Sequence, residues 1–424
     1  MKKGIIVLAV LLVALCGARA QAGEVDILVE KLVKHGVLSK DDATEILQET
    51  KIEAEKERQE TITATKEALM TGEDAKIMVA NALPSFIRNT EFKGDLRLRY
   101  EYSDRENGNS DRNRGRYRFR LGMVTKVNEK VDVGFGIATG GSDPRSTNQT
   151  MGDSFSSPDV RLDMAYASYQ PVDWLTFVGG KFENPLWAPV GWLWDGDIRP
   201  EGISAVVSHT TAGGVELFMH NGFWILDEFK DSSSDPIMFV TQPGFKAKLG
   251  ENAYFKGAFA YYHYEDVKDS ELDFSSETNS RNPDNTYKYD QDAFVVSGEL
   301  GTKNTGLDTI PFAALFGEYV QATDPSKDNT GYMFGAKFGH EKVKKPRQWQ
   351  VKTYYERLER DAWLDTFPDS DAYGGETNIQ SYVVKATYGL MEHVSLGTAY
   401  YHSTPIEGPS DDEDVFQVDM VFKF

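Results

Sequence analysis

The chain has 424 residues, a formal charge of −20 and one cysteine. Such an acidic chain repels phosphate overall, which excludes a general nucleic-acid binder, and a lone cysteine excludes a fold stapled by disulfides. Beyond the N-terminal region no apolar stretch is long enough for a transmembrane helix, so a membrane-spanning form must be a closed barrel, the other architecture that satisfies every backbone group in lipid.

The chain opens with Lys2 and Lys3, an apolar run from Ile5 to Cys16, and the small-residue stretch Ala18-Arg19-Ala20-Gln21-Ala22. That layout predicts a secretory signal over 1–22, cleaved after Ala20 or Ala22. Leu15, where lipoprotein processing wants a small residue, argues against lipidation at Cys16. Loss of Lys2, Lys3 and Arg19 takes the charge from −20 to −23. Residues 23–80 are rich in Glu, Lys, Ala and Gln. They predict a short helix from Val25 to Lys34, stopped at Gly36, and a longer one to about Leu69 with Ser39 as N-cap and Asp41 and Asp42 in its first turn. Its apolar face (Ala43, Ile46, Leu47, Ala54, Ala64, Ala68) is thin, as expected of a solvated periplasmic helix. Leu47, Thr50, Ala54, Thr61, Ala64 and Ala68 also fall near heptad spacing, which leaves an oligomeric coiled coil open. Residues 81–90, with Pro84, read as a linker.

From residue 91 to 424 the period is two. Phe92, Leu96, Leu98, Tyr100 and Tyr102 alternate with Lys93, Asp95, Arg97, Arg99 and Glu101; Tyr117, Phe119, Leu121 and Met123 alternate with Arg116, Arg118 and Arg120. Phe416, Val418, Met420, Phe422 and Phe424 form the last such series. A soluble half-buried sheet also alternates, but here the polar positions are charged and the apolar ones aromatic, which suits a wet lumen and a lipid face. The segments at Tyr254–Tyr264 and Pro311–Val320 are ambiguous. About sixteen strands fit, at roughly 21 residues each with connections, against the roughly 9–11 a spanning strand needs. Long connections centred near Asn109, Met151, Val190, Asp231, Ser276, Lys327, Pro368 and Pro409 alternate with short ones, as in a transmembrane antiparallel barrel. An even strand number puts both ends in the periplasm. The terminal aromatic Phe424 is the expected signal for the barrel-assembly machinery.

Lys181, Asn184 and Pro185, followed by Trp194, Asp195, Asp197, Pro200, Glu201 and Gly202, resemble a motif of the putative porin family of proteobacterial outer membranes. The resemblance implies a large barrel with an N-terminal helical segment and a passive channel, forming a homotrimer in the outer membrane. The acidic proline–glutamate element of classical porins is absent; Pro189, Val190, Gly191 and Trp192 stand in its place. By position, 183–201 is the third long loop, the one expected to fold inward. Glu183, Asp195, Asp197 and Glu201 would form an acidic side of a constriction, and Arg97, Arg99, Arg116, Arg118, Arg120 and Arg161 a basic wall, setting a transverse field that favours polar solutes. Alternatively the arginines are ordinary lumen charges neutralised by Asp95, Glu101 and Asp163.

No cofactor, metal site or catalytic cluster is expected. His340-Glu341 lacks a second histidine four residues on, and Gly134 and Gly136 lie within a strand and open no phosphate loop. The acidic run Asp411-Asp412-Glu413-Asp414 reads as a solvated loop or a site for cations that bridge lipopolysaccharide. Expected partners are lipid, lipopolysaccharide and small polar solutes. Competing functions are a solute-specific, anion-preferring porin, a cell-wall tether acting through the N-terminal helix, and an outer-membrane enzyme, for which no nucleophile–His–acid cluster can be placed.

Overall fold

The computed structural model describes scattered positions between 33 and 63, then residues 85–424 apart from 109–110 and 231–233. The chain divides into two units, 1–88 and 89–424. In the first, the described residues between 40 and 63 are helical, and the Ala43 N–H donates to the Ser39 carbonyl at 3.0 Å, which places the helix start at Ser39. A helical turn, Ser85–Arg88, ends the unit. The signal segment, most of the Val25–Lys34 helix, linker residues 81–84, and Thr50, Ala54, Ala64 and Ala68 of the heptad series lie outside the described residues.

The second unit is one antiparallel sheet: β1 (Thr90–Arg105), β2 (Arg112–Lys126), β3 (Val131–Ala138), β4 (Gln149–Thr150), β5 (Arg161–Val172), β6 (Leu175–Lys181), β7 (Glu201–Thr210), β8 (Glu216–Ile225), β9 (Ile237–Leu249), β10 (Ala253–Glu265), β11 (Ala293–Thr302), β12 (Phe312–Ala322), β13 (Thr330–Gly339), β14 (Trp349–Leu358), β15 (Ile379–Met391), β16 (Val394–Pro405) and β17 (Glu413–Lys423). β1 bonds to both β2 and β17, so the sheet closes. β4 has two residues and only extends the partner of β2 where the short β3 ends, which leaves sixteen strands in the ring. Closure is finished by the C-terminus. Phe424 and Gly94 exchange backbone hydrogen bonds at 2.9 and 3.0 Å, and the Phe424 ring lies over Gly94, where any Cβ would collide with it.

Side-chain parity inverts the order of a soluble protein. Phe92, Leu98, Tyr100, Phe334 and Tyr382 point outward and are exposed, whereas Arg99 and Glu101 are 6% and 3% exposed. An apolar exterior around a charged interior is what a hydrocarbon surround demands. The long connections lie at one end and the turns at the other, but lengths do not alternate strictly: turns 303–311 and 340–348 outrun loops 323–329 and 406–412. Among the tight turns, Gly214 and Gly250 adopt φ of +77° and +75°, a conformation disfavoured for residues with a Cβ.

The interior is not uniformly polar. Loops 182–200, 266–292 and 359–378 pack into one apolar cluster with the inward residues of β8 to β16, including Trp192, Trp224, Tyr262, Tyr264, Val320 and Trp363. This explains the two ambiguous segments. β10 and β12 carry Tyr262, Tyr264, Phe316 and Val320 on their inner faces, so both faces are apolar and the alternation fades.

Candidate functional site

Arginines at alternate positions, Arg97 and Arg99 of β1 and Arg116, Arg118 and Arg120 of β2, put the guanidiniums on one face, and the register sets them side by side: Arg97 opposite Arg118, Arg99 opposite Arg116, and Asp95 opposite Arg120. Like charges directly opposed repel, and carboxylates offset this. Asp95 accepts from Arg118 at 2.6 Å and Arg120 at 2.9 Å; Glu101 accepts from Arg114 and, at 3.2 Å, from Arg116. Asp419 of β17 takes Arg99 through both oxygens at 2.7 and 2.9 Å. Arg97 donates to Asn148 at 2.5 Å.

Two loop carboxylates complete the wall. Asp197 lies 3.2 Å from Arg120 and 3.9 Å from Arg118, and accepts from the Thr147 N–H and hydroxyl at 2.9 and 2.8 Å. Burial opposes its ionisation, but Arg118, the Thr147 N–H and Arg120 outweigh it and hold its carboxyl below the usual range. Asp371 lies 3.1 Å from Arg99 and accepts from Gln417 at 2.9 Å; there too burial is outweighed, by Arg99 first, and the group titrates well below an ordinary carboxylate.

Asp195, two residues from Asp197, belongs to a different contact. It accepts from the Ser370 N–H at 2.9 Å, the Ser370 hydroxyl at 2.8 Å and the Asp197 N–H at 2.8 Å. Burial, with Asp369 and Asp197 adding repulsion, pushes its carboxyl up to about 8. Burial also raises Asp369. Around Asp195 the loops 182–200 and 359–378 are clasped. The Asp195 N–H donates to the Phe367 carbonyl at 2.7 Å, Asp369 N–H to the Trp192 carbonyl at 3.1 Å, and the Trp363 indole to the Leu193 carbonyl at 2.8 Å. Trp194 stacks on Phe367 with centroids 4.2 Å apart. Asp365 then binds the 266–292 loop through the Thr278 and Asn279 N–H groups, Ser275 and Tyr287. On its other flank loop 182–200 reaches β12, where the Trp192 indole donates to Glu318 at 2.6 Å.

The expected constriction residues are thus only partly brought together. Arg97, Arg99, Arg116, Arg118 and Arg120 share one wall with Asp197. Arg161 stands apart at the loop end of β5, donating to the Gly141 and Asp143 carbonyls at 2.9 and 2.8 Å. Glu183 is exposed, and among the described residues no ion pair joins it to these arginines. Glu201 pairs with Lys181 at 2.5 Å and alternates with the inward Gly202, so it faces outward. The expected separation of acids from arginines is also corrected: Asp197 sits against the guanidiniums, because a carboxylate buried there needs cationic partners. Asp411 of the acidic run is taken by Arg105 at 2.6 Å. Among the described residues no group of three or more His, Cys, Asp or Glu could hold a metal.

A second basic lining went unread in the sequence. Lys337, Lys352 and Lys385 are direct neighbours across β13, β14 and β15 on the inward parity, and Lys246 opposes Lys256 across β9 and β10. Lys337 pairs with Glu299 at 2.5 Å and Lys385 with Asp369 at 3.4 Å. The Lys256 ammonium sits 4.4 Å from the Trp187 ring centre and that of Lys246 4.9 Å from Tyr254, within cation–π range. Their alternation is visible one strand at a time, but the register that gathers them is not.

A model of the family described as putative porin matches residues 102–299 and 286–424. Among solved structures the chain is similar to OprB of Pseudomonas putida, at 12% identity and a TM-score of 0.54, over 79% of this chain and 94% of that one. It is also similar to a mutant of the Rh. blastica porin, at 13% identity and a TM-score of 0.46, over 79% of this chain and 100% of that one. The OprB likeness supports the fold alone. No curated protein matches the chain. With the family model covering most of the barrel, the chain belongs to the putative porin family, the outer-membrane channels built on a closed antiparallel barrel.

Proposed function

We propose that this channel passes small hydrophilic solutes by diffusion and is narrowed by its third long loop, 182–200, which leaves the path along the arginine wall. One observation carries the reading: Trp192 is held by Glu318 of β12, while Asp197, in the same short stretch, is held by Arg118 and Arg120 of β2, on the far side of the ring. A segment anchored at both walls and clasped to loop 359–378 has little freedom to swing aside. A solute then passes fixed guanidiniums and carboxylates, which replace part of the hydration shell of a polar molecule and offer nothing to an apolar one. Diffusion through such a passage needs no chemical step.

The same reading takes in the finer expectations. Residues 1–22 are removed as a signal, and the helical segment 23–80 lies in the periplasm. Phe424 is presented to the barrel-assembly machinery, and the barrel works as a homotrimer in lipid and lipopolysaccharide. The test of the constriction is planar-bilayer conductance of the purified protein with loop residues 186–191 replaced by a shorter Gly-Ser linker. Larger conductance with weakened ion selectivity is expected; conductance and selectivity equal to the parent's would remove the loop from the pathway.

A further inference from the structure

We infer that the turn-side half of the channel interior is a binding station for small multivalent oxyanions, bearing phosphate or carboxylate groups, seated on Lys337, Lys352 and Lys385. This deepens the channel reading and rests on it. The three lysines occupy directly opposed positions on successive strands. Neighbouring strands stand about 4.8 Å apart, so the three stems root along roughly 10 Å of wall, a span that one small di- or trianion can bridge.

Their charges are incompletely offset. Glu299 pairs with Lys337 and Asp369 with Lys385, but Lys352, between two cations, has no carboxylate within 4.0 Å among the described residues. The inward positions that follow on the same strands are Gly335, Tyr354 and Val383, none of them acidic. Around the ring, Lys246 and Lys256 extend the lining, with Glu216 opposite Lys246 and Glu299 opposite Lys256 in register. Lys256 too lacks a carboxylate within 4.0 Å among the described residues, and rests on aromatic rings instead.

The contrast with the arginine wall separates binding from mere lining. Arg99, Arg116, Arg118 and Arg120 each meet at least one carboxylate at 3.2 Å or closer. Those guanidiniums are committed to the protein. A cation flanked by cations lowers the cost of its own charge by taking up an anion, and a row of them favours an anion with more than one charge.

The test uses the full-length protein in planar bilayers in potassium chloride, with inorganic phosphate or citrate added in separate runs. A chloride-favouring reversal potential is expected, and at least one of the two should reduce chloride current at a half-blocking concentration ten-fold or more below that of acetate. Lys352→Gln should raise the half-blocking concentration about ten-fold, and Lys352→Arg should restore it. Block by phosphate alone assigns the station to phosphates, and block by citrate alone to carboxylates. A conducting protein blocked by neither, or blocked equally after Lys352→Gln, overturns the inference while leaving the channel intact. Absence of conductance in the unaltered protein would instead overturn the channel reading beneath it. Heat-modifiable gel migration verifies that each variant is folded, and the unaltered protein's own response to phosphate and citrate decides the matter if a variant is not.

Discussion

The two walls of this barrel solve the same problem with opposite chemistry. Over β1, β2 and β17 the interior is held by ion pairs: Arg99 alone takes Asp419 through both oxygens and Asp371 from a loop. Over β8 to β16 the interior is held by loops that lay tryptophan and tyrosine on the strands, with Trp194 meeting Trp224, Trp363 and Phe367. The first wall leaves charge beside the proposed passage; the second is packed by loops toward its loop ends and carries the lysine row toward its turns. A lining of this kind gives the proposed passage a charged side along β1, β2 and β17 and a side packed by loops in the loop half of β8 to β16.

The largest effect is expected from breaking the charged wall at its centre. Arg99→Ala leaves Asp419 and Asp371 facing each other without their shared cation, and removing one partner of a buried pair costs roughly 3–5 kcal/mol. The unfolding midpoint, read by heat-modifiable migration, should fall sharply. Trp194→Ala on the packed wall should cost less in barrel stability, since the strand ladder does not depend on that ring. It should instead free loop 182–200 and raise conductance.

A smaller effect separates two neighbouring acids. Asp197→Asn should shift the reversal potential toward anions, because it removes fixed negative charge where the loop meets Arg118 and Arg120. Asp195→Asn should change neutral-pH selectivity little, because burial keeps that carboxyl largely protonated, titrating near about 8 against an ordinary 3.8. A folded-state pKa raised in this way contributes stability that is complete below the ordinary value and is lost as pH rises through about 8. Alkaline pH should therefore loosen the clasp between loops 182–200 and 359–378, seen as noisier, larger conductance, and Asp195→Asn should abolish that dependence. Deleting Phe424, a prediction apart from the walls, should lower assembly in cells more than refolding in detergent; equal losses would make the residue purely structural.

How much of this was legible in the sequence follows from the same contrast. The charged wall was readable because an arginine on the lipid face near the midplane costs roughly 2–4 kcal/mol, so parity at Arg97, Arg99, Arg118 and Arg120 had one tolerable solution. The packed wall was not, because β10 and β12 are apolar on both faces once loops cover the inner one. Long-loop positions were legible from the spacing of the alternating segments. The opposite fates of Asp195 and Asp197 were not, since they depend on Ser370 and Thr147, which belong to other loops. Glu201 misled because it shares a motif with Asp197 while its strand parity turns it outward. Asp371 was missed because it meets Arg99 from a loop 272 residues along the chain, and the lysine row because only the register between successive strands gathers it.

The central claim is that the passage runs between loop 182–200 and the arginine wall. The most direct measurement is the reversal potential across a salt gradient for Asp197→Asn and, separately, for the pair Arg118→Ser and Arg120→Ser. The first should move selectivity toward anions and the second toward cations, with a rise in conductance as the side chains shorten. Unchanged selectivity in both, in folded and conducting protein, would contradict the account.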